Sequence, residues 1–239
     1  MKEFTISRDT ATTLEVLERF KEHRARIFVD YSKFLEKKPV ALYPYFKRIF
    51  DFCLAFIGLI LSAPIWLVII AAIKLTSKGP FLYVQERYGK DGKVFKQYKF
   101  RSMIVDAEKH TGPVLASDKD PRITPVGWFL RKTALDELPQ LINILLGDMS
   151  FVGPRPERPV LVEKEIIKTV PNFHARHVIK PGLTGIAQVY GRYNTTPRDK
   201  LRFDLLYVKN SNFLLDLKLI ALSFLITFTA RWQHKGKRI

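Results

Sequence analysis

The strongest pattern in the chain is an almost unbroken apolar run from Phe52 to Ile73. It is about long enough to cross the hydrocarbon core of a membrane as one helix, so a spanning anchor is the ordinary interpretation. Ser62 and Pro64 interrupt its middle, where proline removes a backbone donor and clashes with the preceding turn. The pattern therefore predicts either a spanning helix or a helix that breaks here and turns back.

The charges on either side of this run favour the second form. Basic residues prefer the cytoplasmic side of a membrane. They flank the run at both ends, at Lys37, Lys38, Lys47 and Arg48 before it and at Lys74, Lys78, Arg87 and Lys90 after it. We therefore expect a re-entrant helix-break-helix whose two ends lie on the same face.

Two further segments with helical character lie towards the ends of the chain. Apolar residues recur at roughly helical spacing from Thr12 to Lys38, which predicts one or two amphipathic helices that pack on their own domain, on a second copy or on lipid. Leu214 to Trp232 is strongly apolar but carries Asp216 and Lys218. It predicts an interfacial helix, a core helix or a short span, in that order of preference.

The region after Gly79-Pro80 has the mixed composition of a soluble domain. Phe81 to Val84 and Val94 to Phe100 alternate like short strands around the turn at Lys90-Asp91-Gly92, which predicts a small hairpin. Helical patterns cover Val126 to Leu130, Leu138 to Leu146 and Glu163 to Thr169. The expected fold class is α+β and mainly helical, with a re-entrant membrane helix and interfacial amphipathic helices.

Charge and composition narrow the class of partner. The 239 residues include 40 Lys+Arg against 23 Asp+Glu, a formal net charge of +17, so we expect an anionic partner: nucleic acid, a phosphorylated metabolite or the inner face of a membrane. Cys53 is the one cysteine, which excludes an internal disulfide framework and a cysteine-based zinc cluster. The histidines show no metal spacing, and there is no Walker glycine loop, Rossmann fingerprint or G-x-S-x-G elbow. Common nucleotide-binding folds therefore find no support.

Candidate chemistry is concentrated at an acid pair within Leu135-Asp136-Glu137-Leu138-Pro139-Gln140, just after Arg131 and Lys132. We expect the pair at a helix N-terminus, where the neighbouring cations keep both carboxylates ionised. Such carboxylates suit a nucleophile or ligands of Mg2+, which takes oxygen ligands and commonly bridges protein carboxylates to substrate phosphates. On spacing alone, a plain helix cap is favoured by about two to one, because acids are common at helix starts.

Two cationic groups suit the phosphates of a substrate. If Lys96 to Arg101 is a strand, Lys99 and Arg101 lie on one face of it. Gly153-Pro154-Arg155-Pro156-Glu157-Arg158 is a stiff turn that fixes two guanidiniums, Arg155 and Arg158, and arginine binds phosphate oxygens in a bidentate manner. A surface proline loop with solvated charge is the alternative for this turn.

Several motifs in order give the chain a specific resemblance. They are Lys47-Arg48-Ile49-Phe50-Asp51, Ser62-Ala63-Pro64, Lys99-Phe100-Arg101-Ser102-Met103, Leu135-Asp136-Glu137-Leu138-Pro139-Gln140, Gly153-Pro154-Arg155-Pro156 and Pro181-Gly182-Leu183-Thr184-Gly185-Ile186-Ala187-Gln188. Together they resemble the bacterial sugar transferases, the monotopic phosphoglycosyl transferases that act on polyprenyl phosphate. The resemblance runs from about Tyr45 nearly to the C-terminus, and several motifs in order are far more specific than one.

The resemblance implies an activity and its residues. A phosphosugar would pass from a nucleoside diphosphate sugar, usually a UDP-sugar, to undecaprenyl phosphate, with release of UMP, as the first membrane step of exopolysaccharide, O-antigen, capsule or glycoprotein glycan assembly. Asp136 would be the covalent nucleophile, and Asp136 and Glu137 would hold Mg2+. The candidates for phosphate contacts are Lys99, Arg101, Arg131, Arg155 and Arg158.

The resemblance also implies a location and a domain organisation. Residues 1–44 would form a variable helical extension, 45–78 the re-entrant helix and 79–239 a cytosolic catalytic domain with an interfacial C-terminal helix. The enzyme would lie on the cytoplasmic face of the bacterial inner membrane. Both a monomer and a homodimer are compatible with the resemblance. Ser62 and Pro64 would mark the break, Lys47 and Arg48 its basic flank, and Arg48 or the amides of the break would satisfy Asp51.

Two functions from other classes compete with this enzyme. A membrane-attached scaffold would bind anionic lipid headgroups through its basic face, with the acid pair serving only as a helix cap. Nucleic-acid binding fits the charge but not the apolar run, and no nucleic-acid module is recognisable. We therefore expect no nucleic-acid partner.

Overall fold

The computed structural model describes residues 42–109, 112, 120–191 and 195–228. The amphipathic helices predicted between Thr12 and Lys38 lie outside these residues. The described chain is mainly helical, with one long apolar helix and two small sheets. The predicted α+β class is therefore confirmed at this level.

The long helix, α1, comprises Tyr43–Thr76 and contains the whole apolar run. At 1.5 Å per residue, its 34 residues would span about 51 Å if the helix were straight. The backbone stays helical through Ser62 and Pro64, so the predicted break does not interrupt the helical structure. Ser62 is buried and accepts a hydrogen bond from Trp66 Nε1 at 3.1 Å, whereas Pro64 is exposed. The re-entrant path stays a prediction.

A hairpin follows α1 and confirms the predicted alternation. β1 (Leu82–Tyr88) pairs antiparallel with β2 (Val94–Phe100), and a 3₁₀ turn at Lys90–Gly92 joins the two strands. Asp91 has a φ of 56° in this turn, a left-handed conformation that aspartate tolerates better than most residues. The first strand extends beyond Val84, where the sequence pattern ended.

Two short helices flank the acid pair, as the periodicity predicted. α2 (Pro125–Lys132) begins after Thr124, whose Oγ1 accepts from the Gly127 amide at 2.9 Å. A 3₁₀ turn at Leu135–Glu137 leads to α3 (Gln140–Leu146). α3 ends at Gly147, where a φ of 91° favours glycine.

The rest of the described chain surrounds a second sheet, in which β3 (Ser150–Val152) pairs parallel with β4 (Gly182–Thr184). Between these strands lie α4 (Pro159–Leu161), a π-helical stretch (Val162–Ile166), α5 (Ile167–Thr169) and a 3₁₀ segment (Phe173–Val178). After β4 come α6 (Ile186–Tyr190), α7 (Pro197–Asn210) and α8 (Phe213–Phe228). The sheet was not predicted, because strands this short show no usable periodicity.

Both halves of α1 pack on elements that follow it in the chain. Ala55 lies in the main core with Ile144 of α3. Further along the helix, Ile73 packs with Phe100 of β2 and Leu130 of α2. By length and composition α1 could cross a membrane, and only 17% of its most apolar 18-residue window is buried inside the protein. Most of its apolar side chains therefore face outward, unlike those of a soluble core helix.

Candidate active site

The turn that carries the acid pair begins with an uncommon backbone conformation. Ala134 has a φ of 56° and a ψ of 15°, the left-handed region that residues other than glycine rarely adopt. The chain then forms the 3₁₀ turn Leu135–Glu137 directly before α3. Asp136 is buried in this turn, with 7% of its surface exposed. The acid pair thus lies where the sequence predicted, but in a 3₁₀ turn rather than in the helix itself.

Glu137 is held between two cations. Its Oε1 accepts from Lys99 Nζ at 2.8 Å and from Arg155 Nη2 at 2.7 Å. Lys99 comes from β2 and Arg155 from the loop after β3, so three separate parts of the chain meet at one carboxylate. The Arg155 side chain keeps 43% of its surface exposed. Part of its guanidinium surface is therefore accessible from solvent.

The two carboxylates differ in their electrostatics. The pKa of Asp136 is raised to about 6, mainly by burial. Lys99, Arg131 in the last turn of α2, and Arg155 oppose this rise, whereas the Glu137 charge adds to it. Burial also disfavours the Glu137 anion, but Arg155 and Lys99 outweigh it and hold the pKa of Glu137 well below its ordinary value. The neighbouring cations thus favour the ionised form of both carboxylates, as expected, but at Asp136 the opposing effect of burial is larger.

Two of the predicted phosphate contacts are engaged elsewhere. Arg101 is buried, and its Nη1 donates to Lys78 O at 2.8 Å, just beyond the end of α1. Arg158 Nη1 donates to Glu108 Oε1 at 2.6 Å. Both guanidiniums therefore hold parts of the protein together in this structure.

A comparison with protein families fits this geometry. The family described as "Bacterial sugar transferase" matches residues 42–230, which include every motif and site residue above. The chain belongs to the bacterial sugar transferase family.

Curated relatives of this sugar transferase show how much of each protein is shared. UDP-glucose:undecaprenyl-phosphate glucose-1-phosphate transferase of Klebsiella pneumoniae is 46% identical over 183 residues, 74% of this chain and 39% of that protein. UDP-N-acetylgalactosamine-undecaprenyl-phosphate N-acetylgalactosaminephosphotransferase of Aeromonas hydrophila is 40% identical over 185 residues, 76% of this chain and 43% of that protein. Exopolysaccharide production protein PSS of Rhizobium leguminosarum bv. phaseoli is 41% identical over 181 residues, 73% of this chain and 90% of that protein. The chain thus spans about two fifths of the first two relatives and most of the third.

The acid pair of this sugar transferase supplies donors of the kind that Mg2+ prefers. Mg2+ is usually held by one or two carboxylates together with substrate phosphates. Within the part of the chain that the structure describes, no group of three or more His, Cys, Asp or Glu side chains could hold a metal ion. Asp136 and Glu137 are two adjacent carboxylates of this kind.

The charged residues at the start of α1 contact α3 and β3 of the sugar transferase. Arg48 donates from Nη1 to Ile144 O at 2.6 Å and from Nη2 to Leu145 O at 2.7 Å, which satisfies carbonyls at the end of α3. Asp51 accepts from the Phe151 amide at 3.1 Å. The prediction that Arg48 or the amides of the break satisfy Asp51 is therefore wrong, because Arg48 caps α3 and a backbone amide of β3 donates to Asp51 instead.

A polar cluster that sequence reasoning missed joins α1 to α8. Asp216 is buried and accepts from Tyr43 Oη at 2.7 Å, Lys47 Nζ at 2.6 Å and Tyr207 Oη at 2.6 Å. The signal was present in the sequence as a carboxylate inside an apolar segment, since such a group is costly to bury unless it is paired. Lys47 therefore serves as its partner in this structure.

Arg176 and Asp204 were also missed, although they lie directly behind Arg155. They are 1% and 2% exposed, and Arg176 Nη2 lies 2.9 Å from Asp204 Oδ2. Burial raises the pKa of Asp204 to about 6, against the effect of Arg176. Asp204 shares a face of α7 with Leu201 and lies next to Leu205, both fully buried. That spacing could have marked Asp204 as a buried charge in need of a partner.

Proposed function

We propose that this chain transfers a phosphosugar from a UDP-sugar to undecaprenyl phosphate and releases UMP. This reaction would be the first membrane step in the assembly of a bacterial glycan. The names of two relatives specify undecaprenyl phosphate with UDP-glucose or with UDP-N-acetylgalactosamine. The observation that carries the proposal is the buried carboxylate of Asp136 beside Glu137, whose own charge is offset by Lys99 and Arg155.

The proposed reaction is a double displacement at one phosphorus atom. A carboxylate oxygen of Asp136 attacks the phosphorus that carries the sugar, and the bond from that phosphorus to the bridging oxygen breaks. UMP leaves with this oxygen and its electron pair, and an aspartyl phosphosugar remains. An oxygen of undecaprenyl phosphate then attacks the same phosphorus, and the Asp136 carboxylate departs. The kinetics should be ping-pong.

The neighbouring side chains prepare this carboxylate and its substrate. With a pKa of about 6, Asp136 is mostly ionised at neutral pH, and its burial leaves it poorly hydrated and reactive. Lys99 and Arg155 would contact the phosphates next to Glu137. Asp136 and Glu137 would hold Mg2+. When bound, this ion would neutralise negative charge on the diphosphate and on the departing UMP.

The packing of α1 supports a re-entrant path in the membrane. Arg48 near its start contacts the end of α3, and Ile73 near its end packs on Phe100. A spanning helix would place its ends on opposite sides of a hydrocarbon core about 30 Å thick. Because both ends contact the same catalytic body, we infer that residues 45–78 enter and leave by the cytoplasmic face of the inner membrane, with residues 79–239 as the catalytic domain.

Exposed apolar side chains on other helices fit the same membrane surface. α2 exposes Trp128 and Phe129 beside Lys132, whose Nζ lies 4.8 Å from the Trp128 ring centre. α8 exposes Leu214 and Phe224. Aromatic and basic residues together are typical of the interface between lipid and water. α2 and α8 would therefore lie on the membrane and bring the acid pair close to the lipid phosphate.

Radiolabelled donor assays test the proposed function. Purified protein would be given Mg2+, undecaprenyl phosphate and a panel of UDP-sugars, and both UMP release and labelled lipid would be measured. Asp136→Asn should abolish both while vesicle binding persists, whereas Asp91→Asn in the exposed hairpin turn should leave both unchanged. Full turnover by Asp136→Asn would refute the assignment of Asp136 as the nucleophile. Vesicle binding without transfer by the wild type would favour the scaffold that binds anionic lipid.

A further inference from the structure

The loop of residues 153–158, here called the arginine loop, is held mainly through its carbonyl groups. Pro154 and Pro156 flank Arg155 and have no amide proton to donate. Other elements reach the loop instead. The carbonyl oxygens of Pro154, Pro156 and Glu157 accept from Gly182 N at 2.9 Å, Arg87 Nη1 at 3.2 Å and Tyr88 N at 3.0 Å, respectively.

The carbonyl of Arg155 itself is held by a buried arginine. Arg176 Nη2 donates to Arg155 O at 2.6 Å, and the same nitrogen lies 2.9 Å from Asp204 Oδ2. The guanidinium carbon of Arg176 also lies 4.7 Å from the centre of the Phe173 ring. A long side chain held in this way has little freedom left to lose, so it is a stiff support for the arginine loop.

We propose that Arg176, fixed by Asp204, is a positioning residue that sets the Arg155 guanidinium against Glu137 and the phosphates of the sugar donor. The inference rests on the proposed function, in which Arg155 contacts the donor. Arg155 Nη2 lies 2.7 Å from Glu137 Oε1, and 43% of the surface of its side chain is exposed. The backbone anchor therefore decides where this guanidinium lies. A misplacement of about 1 Å at a reacting centre can cost about 100-fold in rate.

A double-mutant cycle separates positioning from general support of the fold. Arg176→Gln keeps a polar side chain but is too short to bridge Asp204 and Arg155 O, and it should lower kcat/KM by about 100-fold. In the Arg155→Gln background, Arg176→Gln should lower kcat/KM by about twofold or less, because Arg176 acts through Arg155. Equal losses in both backgrounds would overturn the inference. Leu201→Ala, which removes core packing from α7, is the control and should cost the same factor in both.

Hydrogen exchange gives a readout that needs no turnover. Arg176→Gln should speed exchange of the Gly182 amide, which donates to Pro154 O in the arginine loop, whereas Leu201→Ala should leave it protected. Unchanged protection in Arg176→Gln would overturn the inference. A wild-type protein inactive with every UDP-sugar would refute the proposed function, and the Gly182 amide would still decide whether Arg176 holds the loop.

Discussion

Lys47 Nζ lies 2.6 Å from Asp216 Oδ2, and this ion pair joins the start of α1 to the start of α8. Both side chains are largely buried, so water screens the pair only weakly. Tyr207 also donates to Asp216, and burial together with the Asp216 charge raises the pKa of Tyr207 well above its ordinary value. The two helices that would contact the membrane are therefore fixed to each other by polar bonds on the protein side.

Breaking this pair should destabilise the protein. Lys47→Met leaves the buried Asp216 carboxylate without its cation, and we expect the free energy of unfolding to fall by about 3 kcal/mol. Denaturant unfolding in detergent micelles measures this. The control is Lys218→Met on the exposed face of α8, which should change stability by less than about 0.5 kcal/mol. Similar values for the two variants would show that the ion pair contributes little.

The pH dependence of the first half-reaction should report the ionisation of Asp136. The nucleophile must be ionised, and burial raises its pKa to about 6. We therefore expect kcat/KM for UMP release to fall about tenfold per pH unit below that value. The folded state holds this proton more tightly than the unfolded chain, so the associated stability is present at low pH and is lost as pH rises from 3.8 towards about 6.

Removing Arg131 tests the electrostatic part of this assignment. Its positive charge lowers the pKa of Asp136, so Arg131→Gln should move the acid limb of the kcat/KM profile to higher pH. Lys132→Gln removes a charge at the next position of α2 and should leave the limb in place. An acid limb that does not move in Arg131→Gln would mean that another group titrates there.

The sequence predicted what depends on local periodicity and missed what depends on distant contacts. The hairpin, α2 and α3 follow from alternation and helical spacing, and so does the place of Asp136 between the two helices. Arg48 and Asp51 were recognised as charged residues of interest. Their partners in α3 and β3 are distant in the sequence and meet them only in the folded chain, so no local pattern indicates them. The hold of Arg176 on the arginine loop was invisible for the same reason, since its acceptor is a backbone carbonyl.

The left-handed residue before the acid pair gives a stability prediction. Ala134 has a φ of 56°, a conformation that costs an alanine about 1 kcal/mol relative to glycine. Ala134→Gly should therefore raise the free energy of unfolding by up to about 1 kcal/mol, in part offset by the greater freedom of the unfolded chain. Gly147→Ala is the reverse change at a φ of 91°, and its new Cβ would lie 3.3 Å from Arg48 Nη2, so it should destabilise. A lower free energy of unfolding in Ala134→Gly would contradict the left-handed backbone conformation at this position.

The path of α1 can be decided by labelling cysteines at its two ends. In a Cys53→Ser background, Leu42→Cys and Lys78→Cys are exposed positions just outside the helix. Both should react with a membrane-impermeant maleimide in inverted vesicles and neither in intact spheroplasts, because both ends of α1 contact the same catalytic body. As a reference, labelling of Asp91→Cys in the hairpin turn shows on which side of the membrane the catalytic domain lies. Labelling of Leu42→Cys and Lys78→Cys from opposite sides would establish a spanning helix. Replacing Ser62 and Pro64 by Ala and Leu should favour that outcome, because it removes the proline that disfavours a straight helix in the middle of α1.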